Sequence, residues 1–187
     1  MSVFAVTEPP EVRIEIQVGR VDLVATDRKD VVVTVSPSNP GRSGDRSAAE
    51  QVRVDQAGTA VRIISPFRLN LFGPGDSVDV LVEVPAATTA TVDVKYGSVT
   101  ASGALAACRM NVPYGNVTLA RATRLDLSVG HGEVRVARVA GDAELRLKSG
   151  SAQLGRIDGG LRLSGSNATV TISSCLLYTS PSPRDRS

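Results

Sequence analysis

Two carboxylates, Asp126 and Glu144, are the residues of this chain best placed to do chemistry. They hold the same place in successive eighteen-residue units, in a file of outward-facing positions that also takes in Asp93, Asn111 and Arg162. If the units stack as strands, the two carboxyl groups lie ~5 Å apart, close to the ~5–5.5 Å used by retaining glycosidases. A glycan-active enzyme is therefore one reading. Such a pair also needs a cleft that excludes water and drives the two pKa values apart. The corners nearby are too short to build walls. Arg146, two residues along from Glu144 on the same face, offers charge balance instead. A solvated, charge-paired sheet face is the simpler reading, and no residue is assigned a catalytic role.

The other reactive side chains are sparser. His131 is the sole histidine, set in Gly-His-Gly-Glu, and the Pro-Cys-X-X-Cys that a zinc deaminase would add is missing. Cys108 sits in Ala-Ala-Cys-Arg between units and reads as packed rather than nucleophilic. The run 73–76, Gly-Pro-Gly-Asp, is a single turn, not a calcium-binding repeat. Asn116 with Thr118 and Asn167 with Thr169 match a glycosylation acceptor, a pattern common by chance. There is no phosphate-binding glycine loop and no nucleophile elbow, so no cofactor and no metal are expected. The remaining candidate is a loop carrying Phe67, Leu69, Leu71 and Phe72, four large apolar residues bounded by Pro and Gly. It either docks a partner or folds over one open end of the structure as a cap.

These residues must be positioned by a repeat. Val92, Val94, Tyr96, Gly97, Val99 and Ala101 return eighteen places later as Met110, Val112, Tyr114, Gly115, Val117 and Leu119. Further on, Leu127, Leu145 and Leu163 are spaced alike, as are Val134, Ala152 and Val170. Within each unit apolar and polar residues alternate, which is strand periodicity. A fixed period of this length marks a repeat architecture, so the fold class is all-β, a single β-solenoid of short strands. At ~3.3 Å per residue, eighteen residues give a perimeter near ~60 Å, enough for a flattened coil filled by side chains. Tyr96 is predicted to lie over Tyr114 on the apolar side. The period slips between Leu119 and Leu125, with Met110 set against Leu125 and Val117 against Val134.

Ahead of the repeats, Val12, Ile14, Ile16 and Val18, then Val21 and Leu23, read as two strands about Gly19. Val31, Val33 and Val35 continue in β-branched residues. Residues 36–50 read as an exposed loop with a helical turn near Ala48 to Gln51. Val52 and Val54, then Val61 and Ile63, form a hairpin about Gly58, and Val78 to Val84 a strand that stops at Pro85.

Bulk properties exclude several classes. The 187 residues suit one domain, and a net charge of +2 with interspersed signs gives no nucleic-acid stripe. Aromatic content of 3% without Trp argues against base stacking, and two cysteines are too few for a disulfide framework. There is no secretory leader at the start and no membrane-length apolar run, so a cytoplasmic location is expected, with the cell surface left open.

The opening run VRIEIQVGRVDLVATDRKDVVVTVSPSNP, the stretch LFGPGDSVDVLVEVP and later units such as VGHGEVRVARVAGDAELRLKSGSAQLGRIDG carry a further signal. In layout the chain resembles the bacterial putative-adhesin family of β-strand repeats, a domain-of-unknown-function family common in actinobacteria, over residues 1–174. The corners Gly97-Ser98, Gly115-Asn116, Gly132-Glu133 and Gly150-Ser151 keep that family's small-then-polar pattern without its Asp. The resemblance implies a non-catalytic scaffold or interaction module with a protein or glycan partner. Self-association through an open end of the coil is a further expectation. Residues 175–187, CLLYTSPSPRDRS, break the period and resemble a translated cloning adaptor, so they are expected to be non-native or a disordered tail that truncates the repeat domain.

Overall fold

Alternation places every second side chain inward, and glycine lets the backbone turn between one inward run and the next. This happens first in β2 (Glu11–Thr26), where Val12, Ile14 and Ile16 lead into Gly19 and then Val21 and Leu23, all five apolar side chains being buried. The computed structural model describes residues 1–6, 8–66 and 76–175, which are almost entirely strand. The loop candidate Phe67, Leu69, Leu71 and Phe72 lies outside the described residues, as does most of the expected tail.

The repeats follow the same rule. β7 (Thr89–Val139) is extended backbone that turns at Gly97, Gly115 and Gly132, and it lies parallel to β2 with Ile14 opposite Val92 and Gly19 opposite Gly97. β8 (Ala143–Ile157) lies parallel to the last part of β7, pairing Leu127 with Leu145 and Val136 with Leu154. β9 (Leu161–Cys175) repeats the pairing one unit on, Leu145 with Leu163 and Leu154 with Ile172. Each apolar column thus runs through successive strands and forms one core.

The glycines are required by contact as much as by conformation. Gly115 has φ 149°, and a Cβ there would fall 1.6 Å from the carbonyl oxygen of Gly97. The same approach recurs along the column from Gly19 to Gly150, after which Ala168 takes the next place. Where φ is positive and the corners stack this closely only a residue without a side chain fits, and Ala168, at the end of the column, does not share that φ.

The other side of β2 is covered by two shorter pieces. β6 (Val78–Pro85) runs parallel to its second half, with Gly19 opposite Val78, and β5 (Ala60–Ile64) runs parallel to its first, with Val12 opposite Val61. β3 (Asp30–Pro37) pairs antiparallel with β6, and β1 (Ser2–Ala5) with β3. β4 (Arg53–Ala57) and β5 form the expected hairpin about Gly58. The sheet therefore ends at β1 on one side and β9 on the other. At the β9 edge Leu163 and Ile172 are 40% and 38% exposed, although their column neighbours are buried.

Three sequence expectations need correction. The stretch 36–50 is not simply a loop: β3 runs to Pro37, and α1 (Ser43–Gln51) is a full helix. It forms because Asp45, only 1% exposed, accepts the main-chain N–H groups of Asn39 (3.1 Å) and Ser77 (3.2 Å), tying the helix to the approach to β6. Tyr96 and Tyr114 do stack, but outside the core, because the turn at the adjacent glycine rotates them to solvent. The slip in the period is also smaller than expected. Tyr114 stacks on His131 and Arg109 pairs with Asp126, so Met110 is set level with Leu127, not Leu125.

Candidate functional site

The corrected register separates the file that had held both carboxylates. Asp93 and Asn111 belong to one column, where the Asn111 amide donates to Asp93 Oδ2 at 3.1 Å. Asp126, Glu144 and Arg162 belong to another, with Asp126 opposite Glu144 and Glu144 opposite Arg162, and Arg109 comes before Asp126. Asp126 and Glu144 are thus brought side by side, as the period predicted.

Their environment is basic. Arg146 reaches both carboxylates, through Nη1 to Asp126 Oδ1 at 3.4 Å and Nη2 to Glu144 Oε1 at 2.6 Å. Arg109 Nε lies 3.3 Å from the other oxygen of Asp126. The charge balance expected of Arg146 is present, and Arg109 doubles it. Arg109 escaped sequence reasoning because only the seventeen-residue spacing to Asp126 discloses it, and that spacing occurs at the one irregular unit.

The pair borders an open groove of about 440 Å³. Between its walls run Leu125, Ala143 and Leu161, in register across three strands, with the side chains of Leu125 and Ala143 buried in the core. One wall carries Arg109, Asp126, Glu144 and Arg162. The other is a corner of the repeat with Arg124, Asp142 and Gly160, where Asp142 Oδ1 accepts the Gly160 N–H at 3.0 Å. The sequence showed no walls here; the chain bends at 140–141, just ahead of Ala143.

Elsewhere the charges serve pairing. Asp158 accepts from Arg156 at 2.5 Å and Arg138 at 2.9 Å, which holds its carboxyl below the usual carboxylate range. Asp30 is lowered in the same way by Arg28. Cys108 is buried among apolar side chains, and the loss of hydration pushes its thiol up to about 12, in keeping with a packed role. His131 is exposed and stacks on Tyr114 at 5.3 Å, with Tyr96 beyond at 5.0 Å from Tyr114. Among the described residues no group of three or more His, Cys, Asp or Glu could hold a metal ion. No helix among them is long and apolar enough to cross a membrane.

No family model matches this chain, and no curated protein matches it. Among solved structures the chain is similar to a putative cell adhesion protein from Clostridium sporogenes. The two are 8% identical over 93% of this chain and 98% of that chain, with a TM-score of 0.45. It is also similar to putative adhesins from Parabacteroides distasonis and Parabacteroides merdae. These are 12% and 10% identical, cover 90% and 94% of this chain and 94% and 95% of theirs, and have TM-scores of 0.31 and 0.30. Likenesses of this strength carry no argument about role.

Proposed function

We propose that the chain is a β-solenoid interaction module without catalytic activity, which presents a rigid side-chain lattice to a protein or glycan partner. The solenoid reading is supported by the parallel register of β2, β7, β8 and β9 and by the glycine column that marks the same corner in each unit. The family resemblance of residues 1–174 points the same way. The observation that carries the functional reading is the position of Arg146, which bridges Asp126 and Glu144 on an open face. Glycoside hydrolysis by two carboxylates needs an enclosed cleft that excludes water, whereas this pair lies on an open face with one guanidinium across both groups. A scaffold needs the opposite, a surface whose charges are fixed in place.

The test is a paired screen of the full chain: turnover of a glycan panel, and binding to the same glycans and to a protein array. Binding without turnover is the expected result. Glycan hydrolysis that disappears in Asp126→Asn would establish the enzyme reading in its place, and an absence of any binding would remove the interaction reading.

A further inference from the structure

We infer that the bare edge of β9 is an interface between two copies of this chain, which meet antiparallel, end to end, and close into a dimer. This goes beyond the partner proposed for the outward face and does not rest on it.

The two ends of the sheet are finished differently. At the N-terminal end the outermost strands are short, four residues in β1 and five in β4, and α1 packs against β3 and β6. Short edges and covering elements keep a sheet from pairing further. β9 has neither device. It is fifteen residues long, holds no proline, and Arg162 is its single charge. Among the described residues it pairs with β8 alone, so the other side of its main chain meets no strand, and Leu163 and Ile172 stand exposed. The core is also unfinished there. Gly165 takes the place held by Val129 and Leu147 in the preceding strands, leaving a cavity of about 140 Å³ beside Leu147, Leu163, Ala168 and Val170. Eighteen residues beyond Leu161 and Leu163 the sequence has Thr179 and Pro181, so it offers no further unit of the same pattern.

The edge is complementary to itself. When one copy is turned over about the corner at Ala168, its first segment lies antiparallel on the second segment of the other copy. The register that sets Leu163 opposite Ile172 of the second copy also sets Gly165 opposite Val170, so the valine meets the cavity that the glycine leaves. On the outward side the same register pairs Ser164 with Thr171 and Ser166 with Thr169, hydroxyl against hydroxyl. It sets Arg162 against Ser173, so no like charges are opposed. A head-to-tail stack would instead lay this long edge on the short strands and helix of the other end. A two-fold contact uses up both β9 edges, and assembly stops at two copies.

Sedimentation velocity of the full chain across a range of concentrations tests this. The expected result is a monomer–dimer equilibrium with nothing larger. Leu163→Lys with Ile172→Lys places charge on the inward side of the edge, at exposed sites where a monomer keeps it in water, and should weaken dimerisation about tenfold or more. Ser164→Cys with Thr171→Cys should give a disulfide-linked dimer on mild oxidation, and Ser164→Cys with Thr169→Cys should not. The wild type is the control for Cys108 and Cys175. A monomer at every concentration overturns the inference and leaves the edge to residues 176–187 or to the strand of another protein. Growth beyond the dimer overturns the closed two-fold, a dimer indifferent to the lysines overturns the β9 contact, and equal cross-linking by both cysteine pairs overturns the register.

Discussion

Gly115 stacks on Gly97 so closely that a methyl group on Gly115 would meet the Gly97 carbonyl oxygen at 1.6 Å. The neighbour is main chain held in the sheet, so neither partner can give way cheaply. Gly115→Ala should destabilise the protein by about 3–5 kcal/mol, read from urea unfolding. Gly58→Ala is the control: a Cβ there meets nothing within 4 Å and only φ 63° is unfavourable, for a cost of about 1 kcal/mol. Equal losses at the two positions would refute close stacking as the reason for the corner glycines.

Asp126→Asn removes one of the two carboxylates that share Arg146. Because the group is partly exposed and the face is open, stability should change by no more than about 1 kcal/mol. Turnover of any glycan tested should be unchanged from wild type. A measurable loss of hydrolytic rate would show that the pair does more than balance charge.

Asp45 is the residue on which the α1 region depends. Asp45→Ala leaves the N–H groups of Asn39 and Ser77 without their acceptor inside the fold, at a cost of about 2–3 kcal/mol in chemical denaturation. Asn at this position retains one acceptor oxygen and should recover part of the loss. If Ala and Asn behave alike, the hydrogen bonds are not what holds the helix.

Asp158 contributes a pH dependence of definite sign. Its carboxyl is held low by Arg156 and Arg138, so its stabilising effect is present above the unfolded carboxylate pKa of about 4 and is lost as pH falls through the lower folded value. Asp158→Asn should therefore lower Tm at neutral pH and flatten the fall in Tm on acidification below about pH 4. A variant whose acid limb is as steep as wild type would place that limb in other groups, among them Asp30 beside Arg28.

The course of the repeats was legible in the sequence because Leu127, Leu145 and Leu163 need only a period and an alternation to be aligned. The slip was not. Setting Met110 against Leu125 or against Leu127 keeps the same side of the strand inward, since the two differ by a whole strand period. Tyr114 on His131 and Arg109 on Asp126 decide between them, and these are contacts between side chains that no hydrophobic pattern weighs. Parity also put Tyr96 with Val94, but the corner at Gly97 intervenes and turns the ring outward. The tie of Asp45 to β6 left no local sign, because Ser77 is far along the chain, and its nearer partner Asn39 is met through a main-chain N–H that any residue there would offer. The carboxylate pair was legible from spacing, whereas the groove beside it depends on where the backbone bends.

The place of β2 in the sheet order bears on how the protein is made. β8 and β9 can each lay down on the strand just before them, at the cost of closing one short loop at a time. β2 is synthesised early yet ends up between β6 and β7, so its Gly19 must wait for both Val78 and Gly97 to emerge. Until then Val12, Ile14, Ile16, Val21 and Leu23 form a long apolar strand with both edges bare, the most aggregation-exposed segment of the nascent chain. Assembly thus has a quick part that proceeds turn by turn and a slow part at the N-terminus, and failures of folding should begin at β2.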